Sequence, residues 1–150
     1  MGRKFVCAIG RGGIREDKRE GDGATPVGRY QIVDLFARPD RAGPIPISTA
    51  PIGPMDLWCD DPKHPLYNSH ARAPLNASHE RMHRVDHLYD LVAVLDYNWP
   101  IAIPGAGSAI FMHIWRRPRF PTAGCVAFRH ADFAWILKNW TPRSRVIIKP

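Results

Sequence analysis

The chain has 150 residues, 45% of them hydrophobic and 23% charged, and carries a net charge of +7. Those proportions exclude a disordered chain and suit one domain that buries its own core without metal or disulfide staples. The positive balance favours a polyanionic partner, yet no run of five or more Lys and Arg marks an arm for nucleic acid. No apolar stretch approaches the roughly 18 residues of a membrane span, so stable membrane insertion is not expected.

Fifteen prolines and twelve glycines argue for short strands and turns rather than a helical bundle. The first apolar segment, Phe5-Val-Cys-Ala-Ile9, follows Arg3 and Lys4 as in a signal peptide but is too short for one, and it reads as a strand with Cys7 buried. A charged, Gly-rich loop covers residues 15–25, and Thr25-Pro-Val-Gly28 is a turn signal. Residues 29–37 read as a strand with Tyr30, Ile32 and Val33 on its buried side. Dense proline from Arg38 to Pro74 predicts a long, mostly irregular excursion, and such loops in compact domains are usually functional. Residues 76–90 could hold a short helix capped by Asn76 or Ser78.

Leu91 to Leu95 is a continuous apolar run, read as a buried strand. In residues 109–115, Ile110, Met112 and Ile114 face one way and Phe111, His113 and Trp115 the other. Phe133, Ile136, Leu137 and Trp140 recur at helical spacing before Pro142, and residues 145–149 close the chain as a strand. The fold class is therefore mainly β, a single domain over residues 1–150, with one or two short helices.

Phe120-Pro-Thr-Ala-Gly-Cys-Val-Ala-Phe128 carries the chemistry. A lone Cys is usually a small buried hydrophobe. Here Gly124 permits close backbone approach to a substrate, and Thr122 offers a hydroxyl that orients a neighbour. His113, upstream on a strand, can take the thiol proton or stabilise the thiolate as imidazolium. If the fold joins them, Cys125 and His113 form an acyl-transfer pair; if not, each is an ordinary core residue. The cysteines Cys7, Cys59 and Cys125 form no CxxC motif, and at least one must stay free.

These residues resemble the YkuD-type L,D-transpeptidases, in which a strand His precedes a Ser/Thr-x-Gly-Cys signature. Gly107-Ser-Ala-Ile-Phe-Met-His113 and Pro121-Thr-Ala-Gly-Cys-Val-Ala127 carry the resemblance. Lys18-Arg-Glu-Gly-Asp-Gly-Ala-Thr-Pro-Val-Gly28, Trp58-Cys-Asp-Asp61, Tyr67-Asn68, Arg84-Val-Asp86 and Tyr97-Asn98 extend it along nearly the whole chain. The resemblance implies a mostly β catalytic domain of curved mixed sheets that acts on peptidoglycan stem peptides in the periplasm or cell envelope. It implies Cys125 as nucleophile, its thiolate partly formed near neutral pH, and His113 as general base oriented by a backbone carbonyl. Backbone N–H groups around Gly124 and Cys125 would stabilise the oxyanion.

The implied product is a crosslink between two diaminopimelates, or between L-Ala and diaminopimelate. A carboxypeptidase or amidase reaction by the same Cys125–His113 pair is the related alternative. Ala123, Ala127 and Ile114 depart from residues common in the family, His, Arg and Gly respectively. The substrate contacts are therefore sought at Arg84, a candidate carboxylate partner, and at Thr122, Asn68, His70 and Arg129. No cofactor or metal is expected, a monomer is expected, and the thiolate is expected to be a carbapenem target.

Two other classes remain at this stage. His79-Glu-Arg-Met-His83 matches the H-E-x-x-H signature of zinc metallopeptidases, which requires a helix that brings both His to one face. Its flanks, Asn76, Ser78, Arg81, Arg84 and Asp86, are polar where that helix is normally packed. A non-catalytic peptidoglycan-binding module would keep the aromatics Trp58, Tyr67, Trp99 and Trp115 but would have no need of Cys125.

Overall fold

The structure, a computed structural model, describes residues 2–44 and 47–150. In chain order its strands are β1 (Cys7–Ala8), β2 (Ile14–Arg15), β3 (Thr25–Pro26), β4 (Gly28–Tyr30), β5 (Ile32–Ala37) and β6 (Ala50–Pro51). They continue as β7 (Asp56–Cys59), β8 (Ser69–Arg72), β9 (His79–Arg81), β10 (Leu91–Leu95), β11 (Phe111–Ile114) and β12 (Val126–Phe128). The helix α1 (His130–Lys138) and β13 (Val146–Ile148) close the chain.

The principal sheet has the order β1-β12-β11-β10-β5-β6. It is mixed, with β11–β12 and β5–β6 parallel and its other pairs antiparallel. Smaller sheets, β8-β7-β9, β13-β4 and the parallel pair β2-β3, surround it. The protein is thus mainly β with mixed sheets and one short helix, as its proline and glycine content predicts.

The principal sheet is covered on both faces, which explains the unbroken apolar run of β10. On one face Leu91, Ala93 and Leu95 join Ile110, Met112 and Ile114 against Phe133 and Leu137 of α1. On the other, Val92, Val94 and Phe111 join Phe36, Trp58, Met82 and Tyr89, and Cys125 belongs to this second cluster. The alternation expected across residues 109–115 therefore holds, and it puts His113 on the Phe111 side.

Several local expectations change. No helix forms in residues 76–90: the polar residues His79–Arg81 pair as β9 with β7, and Met82 alone in that stretch is fully buried. The proline-rich excursion carries β6, β7 and β8, and all four residues of β7 are buried. Trp140 lies beyond α1, which ends at Lys138. Cys7 is exposed because β1 is an edge strand, and Cys59 and Cys125 are also free thiols, both buried. Among the described residues no helix is long and apolar enough to cross a membrane.

One buried hydroxyl ties the N-terminal segment to the Cys125 loop. Thr25, wholly buried, accepts the Gly10 N–H at 2.8 Å and donates to the Gly124 carbonyl at 2.8 Å. The packing is close enough that a Cβ at Gly10 would stand 2.2 Å from the Gly23 carbonyl oxygen. Thr25→Val keeps the shape but leaves one buried donor and one buried acceptor unpaired. Urea unfolding should show a loss of about 2–4 kcal/mol for this variant. A loss within about 0.5 kcal/mol would mean that the bridge is replaceable.

Candidate active site

Strand pairing delivers the two candidate catalytic side chains to one face. β12 runs parallel to β11 with Met112 opposite Val126 and His113 opposite Ala127. Cys125, one residue before β12, therefore comes level with Phe111, and Phe111 and His113 project to the same side.

The thiol is held by backbone. Cys125 Sγ–H donates to the Ala109 carbonyl at 3.1 Å, and Sγ receives the Phe111 N–H at 3.4 Å. Ala109 adopts φ of +54°, a left-handed conformation unusual for Ala that costs about 1–2 kcal/mol. Asn68 holds it there. The Asn68 Oδ1 accepts the Ala109 N–H at 3.0 Å and the Trp58 indole N–H at 3.1 Å. The Asn68 amide donates in turn to the Tyr97 and Asn98 carbonyls at 3.1 and 2.9 Å.

His113 is anchored through one ring nitrogen. Its Nδ1–H donates to the Ile114 carbonyl at 2.8 Å, which leaves Nε2 as the free acceptor of the neutral ring. A backbone carbonyl thus orients the imidazole, with the Tyr89 ring edge-on at 5.3 Å.

Burial governs the charge state of both groups. It pushes the Cys125 thiol up to about 12, with the Glu80 carboxylate adding to the rise. It brings His113 down to about 4, because a charged imidazolium loses its hydration there. Burial therefore favours the neutral form of both groups, against the partly formed thiolate that the sequence leads one to expect.

A cleft of about 430 Å³ opens over this pair, and Arg84, Thr122, Glu80 and Tyr89 also line it. Thr122 acts on the loop geometry: its hydroxyl donates to the Cys125 carbonyl at 2.6 Å and accepts the Gly124 N–H at 3.1 Å. Gly124 has φ of +143°, and a Cβ there would meet the Ala24 carbonyl oxygen at 2.8 Å, so glycine is required. Arg84 faces the cleft but is already committed, forming a bidentate pair with Asp86 at 2.8 and 2.7 Å. That pair holds the Asp86 carboxyl down to about 2.

Three candidate substrate contacts are not on the cleft wall. Asn68 is buried in the clamp just described. His70 bonds Asp56 at 2.9 Å and stacks on Phe36, because β8 turns it toward the far side of β7. Arg129 caps the start of α1 and pairs with Asp132 at 2.9 Å, which fixes it beside another surface pocket.

The cleft also contains Glu20, Asp60 and Ser108, which lie within the quoted motif segments but were not among the expected site residues. Asp60 was accessible to strand alternation, since it stands two residues after Trp58 and so projects to the same side. The H-E-x-x-H stretch lacks its helix: His79 and Glu80 lie in β9, and His83 follows in a bend. Among the described residues no cluster of three or more His, Cys, Asp or Glu is gathered closely enough to ligate a metal.

The YkuD family model, described as an L,D-transpeptidase catalytic domain, matches residues 2–148. Comparison with curated proteins and with solved structures gives no match.

The pKa directions set a pH test. A thiol raised to about 12 should react with iodoacetamide slowly at pH 7, its rate climbing close to tenfold per pH unit toward pH 10. The base form of His113 is lost only as pH falls through about 4, so the acid limb of kcat/KM should lie below pH 5, not near 6.5. An alkylation plateau at neutral pH would instead identify a stable thiolate–imidazolium pair.

Proposed function

The chain belongs to the YkuD family of L,D-transpeptidase catalytic domains, and from that membership we propose a cysteine acyl transfer on peptidoglycan stem peptides. In this reading the whole chain is one catalytic domain, at work in the cell envelope. The observation that carries it is the common cleft: Cys125 and His113 both line it, and His113 presents Nε2 unengaged.

The neutral pair suggests how the first step runs. As the donor carbonyl approaches Sγ, the thiol proton passes to Nε2 of His113 and the C–S bond forms. The bonds to Ala109 and Phe111 hold Sγ beside the reacting carbon. Charge appears only as the carbonyl oxygen becomes an oxyanion, for which the backbone N–H groups of Ala123 and Cys125 are the candidate donors, since those of Thr122 and Gly124 are engaged by Ile9 and the Thr122 hydroxyl. The imidazolium then gives its proton to the leaving amine, and a thioester remains. An amine on a second stem attacks that thioester, an amide forms, and sulfur leaves to recover a proton through His113.

The bond we assign joins two diaminopimelates, with an L-Ala to diaminopimelate bond as the other product of the same chemistry. The same thiol would open a carbapenem ring, because a strained lactam offers an acyl carbon to the same donors. The metallopeptidase reading gains nothing from β9, which does not bring His79 and His83 to one helical face.

Defined muropeptides provide the test. Cys125→Ala should reduce dimer formation by about a thousandfold or more, whereas Cys7→Ala, on the exposed edge strand, should match the wild type. Tandem mass spectrometry of the dimers should show the diaminopimelate–diaminopimelate bond. Intact mass after carbapenem treatment should show one adduct per chain, absent from the Cys125→Ala protein. Activity abolished by a chelator and restored by zinc would refute the assignment, and hydrolysed monomers alone would move it to a carboxypeptidase.

A further inference from the structure

The cleft is divided electrically. Glu20, Asp60, Glu80 and Ser108 line it together with Cys125. Among the described residues none of the three carboxylates pairs with Lys, Arg or His. Four cations share the cleft: Lys18 and Arg84 pair with Asp22 and Asp86 at 2.6 and 2.7 Å, Arg116 reaches Asp86 at 4.0 Å, and Arg11 is exposed. Three carboxylates that line this cleft and form no ion pair with those cations need a physical reason.

The small sheet explains their placement. β9 pairs with β7 so that Glu80 stands opposite Trp58, and the Asp60 N–H continues the ladder to the Ser78 carbonyl at 3.1 Å. Strand alternation then puts Asp60 and Glu80 on one face as diagonal neighbours. Glu80 is fixed by the Tyr89 hydroxyl, which donates to Oε2 at 2.5 Å, and Glu20 likewise by Tyr67 at 2.5 Å. Each is thereby oriented with Oε1 left over. Asp60 Oδ1 is buried with no hydrogen-bond partner. Ser108, 8% exposed, has an unpartnered Oγ that lies beside the Tyr67 phenol without forming a well-aligned bond. Burial raises the Glu80 carboxyl and the Asp60 and Glu20 charges add to the rise, while the Tyr89 hydroxyl and the Arg84 charge oppose it; a cation on this wall would relieve the repulsion among the carboxylates.

We propose that Glu20, Asp60, Glu80 and Ser108 form the subsite for the ammonium group of the acyl acceptor, a primary amine on a second stem peptide. The proposal rests on the transpeptidase reading and adds where the second substrate binds. Two features favour such a ligand. An ammonium brings three donors to acceptors that lack them. Glu80 and Cys125 line the same cleft, so an ammonium held on this wall becomes a free amine facing the thioester once one of its protons passes to a carboxylate. The wall would also favour transfer over hydrolysis, because it concentrates amine where water would otherwise react.

The test follows both half-reactions. Wild-type enzyme, a tetrapeptide donor and a tripeptide acceptor ending in diaminopimelate are combined; intact mass reads the acyl-enzyme, and chromatography reads dimers against hydrolysed monomers. Asp60→Asn and Glu20→Gln should each raise the acceptor KM by about tenfold or more and shift product toward hydrolysis. A second arm needs no variant: a tripeptide ending in 2-aminopimelate, which lacks only the distal amine, should compete for the wild-type acceptor site about tenfold less well or worse. Equal competition by that peptide, or an unchanged acceptor KM in both variants, would overturn the subsite. Slower acyl-enzyme formation in the variants with an unchanged acceptor KM would also overturn it, placing the carboxylates on the donor side. Absence of any wild-type acyl-enzyme on Cys125 would instead remove the underlying reading, and the subsite with it.

Discussion

The site depends on one hydroxyl that does two jobs. Thr25 Oγ1 accepts from Gly10 and donates to Gly124, spanning segments 99 positions apart in sequence, and by that bridge it sets the height of the Cys125 loop over the sheet. A loop that carries the candidate nucleophile has to be held in place in spite of its glycine. Here the constraint comes from outside the loop, through Thr25, and from inside it, through the Thr122 hydroxyl. Glycines at positions 10 and 124 are what let these backbones approach so closely. The same close approach keeps the thiol out of water.

That exclusion of water has an electrostatic consequence. Cysteine enzymes often store reactivity as a preformed thiolate beside an imidazolium. In this cleft, burial disfavours both charged partners at once, and the neighbouring Glu80 carboxylate disfavours the thiolate further. Under the proposed mechanism reactivity arises when the substrate arrives, with charge developing on the substrate oxygen as the proton moves to His113. A neutral thiol is also protected from indiscriminate oxidation and alkylation.

Much of this arrangement was legible in the sequence, for identifiable reasons. Strict alternation around His113 gave its face, the apolar run 91–95 gave the central strand, and the Thr-x-Gly-Cys turn gave the nucleophile candidate. The helix expected in residues 76–90 failed because capping residues and spacing are local signals, whereas β9 is defined by a partner, β7, twenty-two positions earlier at the Trp58–Glu80 pair. The proline-rich excursion concealed β7 for a similar reason: its four residues Asp56–Cys59 are too few for periodicity to register. Substrate candidates chosen by residue type fared unevenly. An Arg, His or Asn has the same chemistry whether it faces a cleft or closes a structural ion pair, and Arg129 and His70 do the latter.

Asn68 shows why the distinction between contact and positioning matters for mechanism. It touches neither candidate reactive group, yet one of its four side-chain hydrogen bonds holds the Ala109 N–H beside Sγ, and the other three anchor it to Trp58, Tyr97 and Asn98. By taking the Ala109 N–H it keeps Ala109 in a left-handed conformation, and that conformation aims the Ala109 carbonyl at the thiol. The strain at Ala109, about 1–2 kcal/mol, is offset by the clamp, since releasing it would leave the Trp58 and Ala109 donors unpaired in the interior. Trp58 belongs to the same clamp and sits on the face of β7 that leads to Asp60, with Glu80 opposite it on β9. The small sheet therefore acts on both sides of the reaction: one end of it fixes the sulfur through Asn68, and the other presents carboxylates to the cleft.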